Sequence, residues 1–105
     1  MSQIIRCKKT QMIEREYLIQ ALEDLGYSWT GNGRVGLLGP RVDIKVRFRN
    51  VGFRKAGKAY EMVTRGMSVK QTKFLQQVTQ RYSYCAARAK LEEQVQALGY
   101  VADED

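Results

Sequence analysis

A chain of 105 residues with 44% hydrophobic and 28% charged residues has the size and composition of one globular domain and is too apolar for a disordered one. The net charge is +7 and histidine is absent, so the chain favours acidic partners and lacks the usual general base near neutral pH. No apolar run approaches the roughly 20 residues of a membrane helix, and the opening MSQIIRCKK has no apolar signal core, so the expected address is the cytosol or an equivalent reducing compartment.

Ile4, Ile5 and Cys7, followed by Lys8 and Lys9, predict a first strand. Thr10 is then placed to cap a helix whose apolar positions Ile13, Tyr17, Leu18, Ala21, Leu22 and Leu25 recur at helical spacing, with Gly26 as its stop. The outer face of that helix, Glu14, Glu16, Glu23 and Asp24, is acidic. Tyr27 to Trp29 predict a short strand, Gly31 to Gly33 a turn, and Val35, Leu37 and Leu38 an apolar segment broken by Gly39 and Pro40. In RVDIKVRFR, Arg41 to Arg49, a period of two puts Val42, Ile44, Val46 and Phe48 on one face and Asp43, Lys45, Arg47 and Arg49 on the other. The stretch NVGFRKAGKAYEMVTR then reads as a hairpin turning around Gly57.

Gly66 ends the strand region, and Ser68 with Gln71 three residues later is a capping-box pattern. Leu75, Val78, Tyr82, Cys85 and Ala89 form the apolar stripe of a second helix, and Leu91, Val95 and Leu98 continue on a rotated stripe. This is either one long helix or two that meet near Ala86. Gly99 is a natural stop, and Tyr100 with Val101 could form a last strand before the acidic tail, residues 102–105. The expected fold is a single α+β domain over residues 1–105: an antiparallel sheet in β-α-β-β-β-α order, with two helices packed on one face. That face would bury Ile44, Val46 and Phe48 under Leu18, Leu22, Leu75 and Val78. The other would stay open to solvent.

Cys7 and Cys85 lie far apart and read as free buried thiols, with a disulfide or redox pair as the alternative. No close-spaced ligand pair, Gly-rich phosphate loop, serine elbow or Cys-His pair occurs, so the sequence argues against a metal site, a cofactor and an enzyme. Charge is the outstanding feature. Between Arg34 and Lys73 there are 11 basic residues against only Asp43 and Glu61. The candidate binding residues are Lys45, Arg47, Arg49, Arg54, Lys55 and Lys58 in the strand region, and Arg81, Tyr84 and Arg88 on one stripe of the second helix. Trp29, Phe53, Tyr60 and Tyr84 are the aromatics available for base stacking, although the first three fit a core role better.

The segments TQMIEREYLIQALEDLGY, VGFRKAGKAYEMV and FLQQVTQRYSYCAARAKLEEQ together resemble the hypothetical chloroplast open reading frame thirty-five family. These are uncharacterised small proteins of cyanobacterial and plastid genomes, with homologues in other bacteria and in phages. The resemblance runs from about Thr10 to Gln94. It implies a compact α+β fold and, because such genes often accompany one for an AAA-type ATPase, an adaptor role; it supplies no catalytic residues. The basic RVDIKVRFRN and the short TRGMS depart from the plastid-like pattern. The expected function is therefore a non-enzymatic adaptor that presents a basic surface to an acidic protein, with an AAA-type ATPase as one such partner. RNA or DNA binding through the same face is the first alternative, and phage-encoded inhibition of a host enzyme the second. Homo-oligomers through an exposed sheet edge are compatible with either.

Overall fold

The computed structural model describes residues 5–36, 38–66 and 69–99. Its elements in chain order are β1 (Ile5–Lys9), α1 (Arg15–Asp24), β2 (Trp29–Arg34), β3 (Arg41–Val46), β4 (Val51–Ala56), β5 (Ala59–Arg65) and α2 (Val69–Ala97). The class is α+β, with a five-stranded antiparallel sheet in the order β1-β5-β4-β3-β2. Hairpins join β2 to β5 as a meander, while β1 pairs with β5 at the far edge. Four strands lie between the helices, one more than the expected order. The short strand expected at Tyr27 to Trp29 starts instead at Trp29 and runs through the expected turn Gly31 to Gly33 as β2, which pairs with β3 from Trp29 opposite Val46 to Arg34 opposite Arg41. The expected contributions of Ile4, Leu37, Ser68, Tyr100 and Val101, and the acidic tail, lie outside the described residues.

Both helices pack on one sheet face. Ile44, Val46, Val51, Phe53, Tyr60 and Met62 from the strands meet Leu18, Ala21 and Leu22 of α1 and Phe74, Val78 and Tyr82 of α2. Phe53 and Phe74 face each other with ring centroids 6.3 Å apart; full burial of such a side chain stabilises by about 1.5–3 kcal/mol. Phe74 holds the position at the centre of the core, and the expected Leu75 is only half-buried beside it.

Phe48 departs from the expected core: it is 91% exposed. The reason is local. β3 ends at Val46, and the chain reverses through Arg47–Asn50 with Phe48 in the left-handed region at φ 63°. Strand alternation therefore stops two residues short of Phe48, and Arg47 and Arg49 belong to a turn instead of a strand face.

Thr10 does not cap α1 either. Its hydroxyl donates to the Tyr60 carbonyl at 2.7 Å and accepts the Met12 N–H at 3.1 Å, and the helix begins five residues later. The N–H groups of Ile13 and Glu14 instead donate to the Tyr82 hydroxyl at 3.1 and 2.9 Å, so α2 supplies the polar partner at the entrance of α1. At the other end Gly26, with φ 85°, closes the helix in a Schellman motif: its N–H reaches the Glu23 carbonyl at 3.0 Å and that of Tyr27 reaches Leu22 at 2.9 Å. The second helix is one continuous element of 29 residues with no break near Ala86. Its burial ends at Cys85; further on, Leu91 is 61% and Leu98 72% exposed.

The second sheet face is not simply open. Strand register lines up Cys7, Val63, Gly52, Lys45 and Thr30 across it. Past Asn32, itself left-handed at φ 57°, the β2–β3 hairpin curls back over this row. Val35 and Val42 are buried there against Val63, with Ile5 alongside. Gly52 makes the close approach possible, because a Cβ at that position would stand 2.5 Å from Val42 Cγ2.

Candidate anion-binding site

The basic residues singled out from the sequence do not form one track. Lys45 lies on the second face, but its ammonium is turned into the sheet end, donating to the carbonyls of Val46, at 2.8 Å, and Arg49. Partial burial lowers its pKa. It fastens the β3–β4 turn. Arg47 is exposed in that turn with its guanidinium 5.3 Å from the Phe48 ring centroid. Arg49 reaches the helix side, 5.1 Å from the Tyr27 ring and 4.9 Å from that of Phe74.

Arg54 stands opposite Glu61 in register and binds it through Nε at 2.9 Å and through Nη2. Hydrogen bonding to Glu61 raises the Arg54 pKa above its ordinary value. Glu61 is buried, and a carboxylate there without its partner would be costly, so Arg54 is committed to the fold. Lys55 sends its ammonium to the Ile13 carbonyl at 2.9 Å, beside the Tyr60 ring. Lys58 is exposed at the β4–β5 turn.

On α2, Arg81 donates to Asp24 at 2.8 Å and stacks 4.3 Å from the Tyr84 ring centroid. Arg88 pairs with Glu92 one turn on. These residues line a groove of about 340 Å³ between the helices, together with Glu16, Tyr17, Gln20 and Cys85. Asp24 accepts from Gln20, Arg81 and the Cys85 thiol, and the first two of these hold its carboxyl below the usual range. Burial pushes the Cys85 thiol up. The groove is a mixed-charge seam that ties α1 to α2 and offers little free charge.

Two further cations, Arg34 and Arg41, are brought together without a carboxylate partner among the described residues. They are direct cross-strand partners on β2 and β3, and both line a hollow of about 850 Å³ with Asn32, Gly33, Val42, Asp43, Arg54 and Lys55. Arg34 makes one long contact, to the Gly39 carbonyl at 3.5 Å, and among the described residues neither arginine has a carboxylate partner. Asp43, the carboxylate of the hollow, is engaged by the Lys55 backbone N–H at 2.7 Å. Sequence reasoning counts Arg34 and Arg41 among the basic residues without singling them out. The signal that joins them is the hairpin register, which the glycines on both sides obscure.

No sheet aromatic serves this hollow. Phe53 and Tyr60 are core residues, and Trp29 packs on the helix side with its indole N–H on Glu23 at 3.1 Å and Arg15 over its ring. Tyr84 is half-exposed, on α2. Cys85 is buried as expected, whereas Cys7 is exposed on the edge strand β1; both are free thiols. Among the described residues no group of three or more Cys, Asp or Glu side chains could hold a metal ion, and no helix is long and apolar enough to cross a membrane.

No curated protein and no solved structure matches the chain. A family does: over residues 21–103, from the middle of α1 past the end of α2, the chain matches the domain described as a protein of unknown function, DUF1257, and it belongs to that family.

Proposed function

We propose that this protein is a non-enzymatic interaction module that docks an acidic protein partner on the hollow beside Arg34 and Arg41. The observation that supports this reading most is the pair itself: two guanidinium groups directly opposed across adjacent strands, facing one hollow, with no carboxylate of their own. Forked arginine donors suit carboxylate and phosphate groups on a partner surface. RNA or DNA is the weaker reading, because the hollow has no aromatic platform on which bases would stack. The narrower resemblance to the hypothetical chloroplast open reading frame thirty-five family adds a candidate, an AAA-type ATPase, and an aqueous reducing address in cytoplasm or stroma.

The test is affinity capture on the immobilised protein from a lysate treated with nuclease, run beside the Arg34→Glu, Arg41→Glu double variant. One defined protein, retained after digestion by the parent chain and lost by the variant, is the expected result. Recovery of nucleic acid that disappears on digestion, with no protein held, contradicts it.

A further inference from the structure

We infer that the hollow at Arg34 and Arg41 is a site for a phosphomonoester dianion, presented by a phosphorylated side chain of the acidic partner; this deepens the docking reading and rests on it. Arginines directly opposite one another on paired strands carry a repulsion that destabilises the sheet unless a counter-charge lies between them. Among the described residues no carboxylate pairs with either arginine: Asp43, which lines the same hollow, accepts the Lys55 N–H, and Glu61 is paired with Arg54. Edge protection accounts for Arg34, on the edge strand β2, but not for Arg41, because β3 has β4 on its other side.

A single carboxylate has two oxygens and one charge, enough for one guanidinium fork. A phosphomonoester has three terminal oxygens and a charge near −2 at neutral pH, which matches two forks at once. A nucleic-acid phosphodiester carries one charge and has two free oxygens, so it leaves one of the two guanidinium charges uncompensated. The Arg34–Arg41 pair therefore selects for the monoester.

The probe is phenyl phosphate, titrated into the full chain at constant ionic strength while the arginine Nε–Hε resonances are followed by NMR, with dimethyl phosphate as the diester control. Saturable shifts at Arg34 and Arg41 are expected at pH 7.5, weakening several-fold at pH 5 as the second phosphate proton, with a pKa of about 6, returns. Arg41→Gln and, separately, Arg34→Gln are each expected to weaken binding by about tenfold. Without ligand, both variants should melt at or above the temperature of the parent, since each removes a repulsion.

Shifts that fail to saturate, or that survive in both variants, overturn the phosphate site; the capture experiment with its double variant would still report separately on docking of an acidic protein. Equal affinity for dimethyl phosphate overturns the monoester and favours a nucleic-acid backbone.

Discussion

Phe48 and Tyr82 show how far a residue's role depends on what lies outside its own segment. Phe48 reads as core by alternation, yet it sits at a turn apex with positive φ and 91% exposure. An L-residue in that region costs about 1–2 kcal/mol, and glycine returns part of the gain through its own chain entropy. Phe48→Gly is therefore expected to raise stability by about 0.5–1 kcal/mol in urea unfolding, where a buried phenylalanine would lose about 3–5. Tyr82 reads from the sequence as one more apolar stripe position, and it is buried as such. What spacing does not reveal is that its hydroxyl accepts two N–H groups 68 and 69 residues away. Tyr82→Phe keeps the ring and strands both donors, so a loss of about 1–3 kcal/mol is expected in the same measurement.

At the scale of elements, β4, β5 and the two helices were readable because each is bounded by local chemistry. Gly57 turns one hairpin, Gly26 stops α1, and apolar side chains recur with the correct period in between. β2 and the start of β3 were not readable in the same way. Gly31, Asn32 and Gly33 are turn formers that here lie inside a paired strand, and the curl of that hairpin moves Val42 from the helix side to the second cluster with Val35 and Val63. Local propensity lost to a tertiary contact, and the contact depends on an absent side chain. Gly52→Ala would push a methyl group into Val42, so a destabilisation of about 1–3 kcal/mol is expected from thermal or urea melts. Fast labelling of Cys7 by a thiol reagent and slow labelling of Cys85 in the native protein would report independently that the β1 edge is open and the seam between the helices is closed.

For the whole molecule, the sequence located the excess of positive charge in the strand region but not its use. Much of it is consumed internally: Lys45 on turn carbonyls, Arg54 on Glu61, Lys55 on the Ile13 carbonyl, and Arg49 over aromatic rings. Such pairings are set by three-dimensional neighbours, which residue counts do not contain. Among the described cations that keep no carboxylate partner, Arg34 and Arg41 are set directly opposite each other beside one hollow, and a site differs from a diffuse basic surface in one measurable respect. Diffuse charge acts through the net field, so any equal change in charge should weaken an acidic partner's association to a similar extent. The decisive comparison is captured partner, after nuclease treatment and at fixed salt, between Arg34→Glu, Arg41→Glu and a control of equal charge change at two exposed positions, Arg47→Glu, Lys58→Glu. Loss of the partner in the first pair with retention in the second is the predicted result; equal loss in both, or loss in the second alone, would contradict a docking site at the hollow.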